Sequence, residues 1–203
     1  MVILHARSGD AVRGPGRPSL ARAPGAHDST RNILRQVTRH DHERLDCLMA
    51  RLDLSHRGDY GILLSVHYNA LRALAGRWSV RDQPDFSSLL TCLASDLRAL
   101  NCLSGDEGAT QATGAELPGQ WGLAYVIRGS RLGSAILRHR VPAGQPTSYL
   151  DYTPMLTWPE FVKQLDGETH TIHPRALGQI IRGAQRAFAA FSAAAAGQGL
   201  ANE

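Results

Sequence analysis

The chain has 203 residues, of which 43% are hydrophobic, and a chain of this size can bury one substantial core. Its formal net charge is +4, but residues 1–27 carry four arginines against one aspartate, which leaves only +1 for residues 28–203. That small charge argues against nucleic-acid binding by the main part of the chain. The sequence has neither a secretory signal nor the run of about 18 apolar residues that a membrane span needs, so we expect a cytoplasmic protein without membrane attachment.

The composition divides the chain into one domain and two tails. Residues 1–27 are rich in Arg, Gly and Pro without an apolar period, which predicts a disordered tail. We expect a helical domain over residues 28–197 and a short C-terminal tail over residues 198–203. Three cysteines occur without metal-ligand spacing, and we expect them to be buried and reduced. They are Cys47, Cys92 and Cys102.

Helical periodicity dominates the chain and strand signals are scarce. In chain order, the predicted helices cover residues 28–52, 59–78, 84–101, 117–139, 158–166 and 174–196. A loop is predicted over residues 103–115, and a broken region over residues 149–157. This pattern predicts an all-α bundle of six or seven helices in a single domain.

The first predicted helix carries a histidine on an otherwise mainly apolar stripe. Five side chains spaced alternately three and four residues apart share this stripe: Arg35, Thr38, His42, Leu45 and Met49. Asp46 lies one turn after His42 and can hold one ring nitrogen, which leaves the other for a metal. Arg35 lies about 10 Å before His42 along the axis, a reach that suits a carboxylate at the rim of a large planar ligand. A buried core histidine with a structural Asp46 partner is the alternative.

The fourth predicted helix keeps glycines in its interior, each at a cost of about 1 kcal/mol relative to alanine. Gly122, Gly129 and Gly133 lie near one face, so either another helix or a ligand approaches the backbone closely there. No phosphate-binding loop, serine-hydrolase elbow, zinc-protease motif or paired-cysteine motif accompanies them. The sequence therefore gives no support to phosphate transfer, triad hydrolysis or zinc chemistry.

Together the two helices resemble one family, the haem oxygenases, over about residues 31–192. Residues 34–45 look like the family's opening motif Leu-Arg-x-x-Thr-x-x-x-His-x-x-Leu. Residues 125–133 are similar to the element Tyr-Val-x-x-Gly-Ser-x-Leu-Gly of the bacterial distal helix. The segments 96–100, 158–161 and 187–191 add weaker support. The likeness is strongest to the bacterial biliverdin-producing branch that is associated with bacteriophytochromes.

The resemblance implies that haem, as both substrate and cofactor, is sandwiched between the first helix and the glycine-bearing distal helix. O2 and electrons from a ferredoxin or a flavoprotein reductase would open the ring. The products would be biliverdin, carbon monoxide and ferrous iron. Biliverdin could supply a bacteriophytochrome chromophore, or the reaction could serve iron release.

The resemblance also implies roles for single residues. His42 falls at the position of the proximal iron ligand. Gly129 and Gly133 form the distal roof, and Ser130 stands where animal-type members carry an aspartate that organises water. The implied haem-binding positions besides the two roof glycines are Arg35, Thr38, Asp46, Tyr125, Lys163 and Arg182.

Two residues depart from the family pattern. Arg128 stands where a glutamate is common, and Ser134 replaces a frequent second glycine after Gly133. Two other functions are also compatible with the sequence. One is a haem carrier or storage protein that does not degrade haem, and the other is a catalytically degenerate protein of the same fold.

Overall fold

The computed structural model describes residues 29–103, 117–169 and 174–200, which form nine α-helices and no strand. The helices are α1 (Thr30–Val37), α2 (Arg39–Met49), α3 (Arg57–Leu74), α4 (Gln83–Ala99), α5 (Pro118–Ser130), α6 (Ser134–Arg140), α7 (Ser148–Asp151), α8 (Trp158–Thr169) and α9 (Pro174–Gly197). Short 3₁₀ turns follow α3 at Ala75–Arg77 and join α5 to α6 at Arg131–Gly133. The predicted all-α fold is confirmed. The predicted tail over residues 1–27 and, apart from Leu103, the predicted loop over residues 103–115 lie outside the described residues.

The prediction of one continuous first helix is wrong, because the chain divides at Thr38 into α1 and α2. The Ser29 hydroxyl accepts a hydrogen bond from the Asn32 amide and caps α1. At Thr38 the hydroxyl donates to the Leu34 carbonyl at 2.8 Å, while the backbone leaves helical geometry at φ −98° and ψ 7°. A threonine that competes in this way for a helix carbonyl bends or interrupts the helix.

The distal helix is also interrupted. Instead of one helix over residues 117–139, α5 ends at Ser130 and a 3₁₀ turn leads into α6. Gly129 lies just before this turn and Gly133 ends it, and the backbone freedom of glycine lowers the cost of the change in hydrogen-bond pattern. At the other end Pro118 occupies the first turn, and the Gln120 side chain accepts the Leu117 amide at 2.8 Å.

The core is built around α9, which packs against α5, α3 and α2. Four residues of its apolar stripe are buried: Ile180, Ala184, Phe188 and Phe191. Two others, Leu177 and Ile181, are half-buried. Helix α1 packs against both α8 and α9, and α3 also packs against α4. The helix with the longest apolar stripe therefore organises the fold.

The predicted broken region at residues 149–157 contains the short helix α7, held by one buried carboxylate. Asp96, 1% exposed, accepts the amides of Ser148 and Tyr149 at 3.0 and 2.8 Å. Beyond this region α8 begins at Trp158 as predicted and continues to Thr169.

The cysteine prediction is correct in part. All three thiols are free, but Cys47 and Cys102 are exposed and Cys92 is half-buried, so the expected burial is wrong. Cys47 lies on the side of α2 away from the buried Leu45 and Leu48, and Cys102 follows the end of α4. Across the described ranges, every helix is too short or too polar to cross a membrane.

Candidate functional site

The histidine of the first motif lies half-buried on α2 with its carboxylate partner one turn later. Nδ1 of His42 lies 3.0 Å from Oδ2 of Asp46, and the histidine side chain is 17% exposed. The ring meets Phe188 of α9 edge-on at a centroid distance of 6.1 Å. Asp46 therefore orients the imidazole through Nδ1, so that Nε2 is the nitrogen suited to a metal.

Thr38 and Arg35 differ in their accessibility on the same stripe. Thr38 is buried at 3% exposure, and its hydroxyl is already engaged by the Leu34 carbonyl. Arg35 is exposed one turn before the break between α1 and α2. Thr38 consequently shapes the helix, while Arg35 offers a cation at the surface.

The charge of Arg35, in the first motif, acts on the side chain of Tyr125, in the second motif. Burial raises the pKa of the Tyr125 phenol, and the positive charges of Arg31 and Arg35 oppose this rise. Both arginines of α1 are thus close enough to influence a side chain of α5. A second connection lies further along the two helical segments, where Nη2 of Arg140 donates to the Leu52 carbonyl at 2.9 Å.

These two observations indicate how the segments run. The charge of Arg35 reaches Tyr125, and a hydrogen bond joins Arg140 to residue 52, so residues 35–52 and 125–140 run in the same direction. Leu132 follows Tyr125 by as many residues as His42 follows Arg35. Among the described residues, the main packing partner of α2 is α9. His42 and the stretch 129–133 thus lie at corresponding positions along the two segments.

The interior glycines of α5 have two different causes. A Cβ on Gly122 would overlap the Ile180 carbonyl and come within 2.7 Å of the Ala184 amide, so helix α9 requires glycine there. Gly183 of α9 meets Gly119 of α5 in the same way. At Gly129, the protein atoms within reach of a Cβ in the described region belong to the Trp158 ring, at 3.6 and 3.7 Å, an ordinary contact distance. Helix packing explains Gly122 and leaves Gly129 unexplained.

The remaining distal residues surround the 3₁₀ turn. Ser130, Gly133 and Ser134 are all buried, and the Ser130 hydroxyl donates to the Ile127 carbonyl at 2.7 Å. Ser134 opens α6 at 6% exposure. These short side chains let the backbone of the turn lie close to its neighbours.

Two apolar residues that the sequence analysis missed are exposed on the distal segment. Leu132 is 50% exposed and Ile136 is 41% exposed. They follow Gly129 by three and seven residues, with Leu132 in the 3₁₀ turn and Ile136 in α6. Their spacing from Gly129 could have been read from the sequence. In the described region, these exposed side chains form an apolar surface that is only partly covered by protein.

Lys163 and Arg182 are exposed on α8 and α9. The guanidinium of Arg182 extends over Gly178 of its own helix, 3.4 Å from the position of a Cβ there. Their implied contacts with haem propionates stay a prediction.

A second histidine, His67 of α3, is a core residue. Nδ1 lies 2.9 Å from the Leu63 carbonyl, and the ring packs against Tyr149 and Phe191. Burial lowers its pKa to about 3, so the ring is neutral at physiological pH.

A cavity of about 350 Å³ lies elsewhere, among α3, the end of α4 and the residues that follow. Its lining includes Ser65, Asn69 and Cys102, and none of the predicted site residues. This cavity is therefore separate from the predicted site residues.

Comparison with known proteins gives one informative result. No family profile matches the chain, and no curated protein matches it. The fold is similar to that of a solved structure, the haem oxygenase of Neisseria meningitidis in its NO- and CO-bound forms, with a TM-score of 0.59 and 18% identity. The match covers 87% of this chain and 96% of that one. The chain therefore has the haem oxygenase fold.

Proposed function

We propose that this protein binds haem and opens its ring with O2 and electrons, releasing biliverdin, carbon monoxide and ferrous iron. The observation that carries the proposal is the pair of connections from Arg35 to Tyr125 and from Arg140 to Leu52. They support a placement of His42 opposite the segment Gly129–Gly133, with a gap between them that haem would fill. The fold shared with the Neisseria haem oxygenase supports the same conclusion.

The residues around the gap fit a flat apolar ligand with charged groups at one edge. Leu132 and Ile136 offer exposed apolar surface, and burying such surface is the main driving force for binding a porphyrin. Arg35 and Tyr125 offer a cation and a phenol at one end of the gap. A propionate at this edge would receive a charge-assisted hydrogen bond. Lys163 and Arg182 are the further candidates for propionates.

His42 would ligate the iron through Nε2. Asp46, 3.0 Å from Nδ1, favours the tautomer that keeps the Nδ1 proton and leaves Nε2 unprotonated for the metal. Thr38 contributes indirectly, because the break that it makes between α1 and α2 sets the start of the helix that carries His42.

The distal residues would control access to the ring edge. Gly129 and Gly133 let the backbone approach haem closely, since neither has a Cβ. Ser130 donates its proton to the Ile127 carbonyl and also forms a hydrogen bond with the Tyr149 side chain, so it would hold the backbone of the distal turn in place. Haem supplies the oxidative chemistry when bound, and O2 is the second substrate.

The electron donor in this proposal is a ferredoxin or a flavoprotein reductase in the cytoplasm. The biliverdin product could pass to a bacteriophytochrome, as in the branch that the sequence resembles. Release of iron is the alternative purpose of the same reaction.

A turnover assay tests the proposal. Haem-loaded protein is given ascorbate, or ferredoxin with its reductase, and absorbance is followed for biliverdin while carbon monoxide is trapped. We expect stoichiometric biliverdin from the native protein and a loss of at least about a hundredfold in rate for His42→Ala. His40→Ala, at an exposed position on the same helix, is the matched control and should retain the native rate. Haem that binds and stays intact would identify a carrier instead.

A further inference from the structure

Arg128, the residue before Gly129, carries a buried guanidinium between two buried aspartates. Its side chain is 5% exposed, and those of Asp82 and Asp85 are 1% and 5% exposed. Nε and Nη2 donate to Oδ1 of Asp82 at 3.2 and 2.9 Å, and Nη1 donates to Oδ2 of Asp85 at 2.9 Å. The position that departs from the family pattern is thus the centre of a buried ionic cluster.

The second oxygens of both aspartates are also engaged. Oδ2 of Asp82 accepts hydrogen bonds from the Ser79 hydroxyl at 2.6 Å and from Arg81 at 3.2 Å. Oδ1 of Asp85 accepts the Tyr152 hydroxyl and the Met155 amide, each at 2.8 Å. Burial by itself would raise the pKa of Asp85, but the hydrogen bonds from Met155 and Tyr152, with the charge of Arg128, lower it. A buried ionic cluster of this kind is held in one geometry, because loss of one partner leaves a charge uncompensated.

The cluster joins three parts of the chain. Asp82 and Asp85 belong to the beginning of α4, and Arg128 belongs to the end of α5. The third part is the segment 152–156, which the cluster holds through Asp85 and through a bond from Nη1 of Arg128 to the Leu156 carbonyl at 3.3 Å.

This arrangement fixes both sides of one contact. Gly129 follows Arg128 directly in the chain, and Trp158 follows Leu156 by two residues. The Trp158 ring lies 3.6 Å from the position of a Cβ on Gly129. Both partners of this contact are therefore tied to the same guanidinium, one through the peptide bond and one through a carbonyl.

We propose that Arg128, with Asp82 and Asp85, is a positioning residue that sets the distance between Gly129 and Trp158, and thereby the orientation in which haem is oxidised. The inference rests on the proposed function. If haem lies beside Gly129, the position of the Trp158 indole determines how much space is left on that side of the porphyrin. A change in the cluster then changes which meso carbon is exposed to oxidation.

The first test needs no haem. Hydrogen exchange of the apo protein is compared for the native chain, Asp85→Asn and Arg128→Lys. We expect exchange to rise by about tenfold in both the segment 152–158 and the segment 128–131. Leu93→Ala, a cavity variant in the middle of α4, is the control for general destabilisation and should not produce this paired change. Unchanged exchange in either segment would overturn the positioning role.

The second test addresses the orientation of haem. Biliverdin isomers are separated by chromatography after single turnover, and the C–O stretching band of the ferrous carbon monoxide complex is recorded for the same variants. Arg128→Lys and Asp85→Asn should change the isomer ratio and shift or broaden the band, whereas Leu93→Ala should change neither. A native isomer ratio and a native band in both cluster variants would contradict the inference while leaving the proposed function intact. Absence of haem binding by the native chain would instead overturn both proposals.

Discussion

Helix α5 carries a glycine near each end, and the surroundings of the two glycines differ. At its beginning, Gly122 lets α9 pass so closely that a Cβ would overlap the Ile180 carbonyl. At its end, Gly129 has the Trp158 ring at ordinary contact distance. Helix packing explains the first glycine and leaves the second unexplained, which is where we propose that haem approaches the backbone.

The two described histidines in contact with α9 repeat this contrast. His67 is enclosed by Tyr149 and Phe191 and is neutral in the core. His42 is partly accessible and is oriented by Asp46. One histidine serves packing, and the other has the geometry of a ligand.

The largest effect is expected at the crossing of α5 and α9. Gly122→Ala should lower the free energy of unfolding by more than about 3 kcal/mol, because the methyl group meets rigid backbone on α9. Denaturant unfolding followed by circular dichroism measures this loss. Gly167→Ala on α8 is the matched control, since nothing lies within 4 Å of a Cβ there. It should stabilise the protein by up to about 1 kcal/mol.

The second-largest effect is the pH dependence that His67 gives to the free energy of unfolding. The pKa of His67 is lowered from 6.5 to about 3 in the folded protein, so the unfolded chain binds more protons between these values. Stability is therefore complete above about pH 6.5 and falls with decreasing pH, by up to about 1.4 kcal/mol per unit. Unfolding curves between pH 7 and pH 4 measure this slope. His67→Gln should flatten it, while His56→Gln at an exposed position should not; equal slopes in all three proteins would refute the assignment.

At Gly129 we expect stability and function to respond in opposite directions. Gly129→Ala should leave the free energy of unfolding unchanged or raise it by up to about 1 kcal/mol, because alanine is the better helix former and no described protein atom blocks its methyl group. The rate of biliverdin formation should fall by at least about tenfold, since the methyl group would meet haem. Unfolding curves and turnover assays on one preparation test both. A variant that loses stability as Gly122→Ala does would remove the distinction between the two glycines.

The smallest effect is expected at the exposed apolar surface. Ile136→Ser should change the free energy of unfolding by less than about 0.5 kcal/mol, because the side chain is already 41% exposed. It should weaken haem binding several-fold, corresponding to about 1 kcal/mol of lost apolar burial. Competition with apomyoglobin measures the affinity. Val80→Ser, at an exposed apolar position before α4, is the control and should leave haem binding unchanged.

The sequence was sufficient for the helical class and for the likeness to the haem oxygenase fold, because the spacing of apolar residues and the two motifs are local properties. It also predicted the approach of Asp46 to His42, which depends only on helix geometry. The breaks at Thr38 and at Arg131–Gly133 were not predicted, since each depends on a competition between hydrogen-bond patterns. The partners of Arg128 could not be predicted, because Asp82 and Asp85 come to it from a distant part of the chain.

A hemin titration followed at the Soret band tests haem binding and the role of His42 together. We expect one-to-one saturation with a sharp, shifted band for the native protein. We also expect a different band for His42→Ala, which added imidazole restores toward the native one by replacing the lost ligand. A folded native protein without a Soret shift, or a His42→Ala variant with the native spectrum, would contradict the assignment of haem to the gap between His42 and Gly129–Gly133.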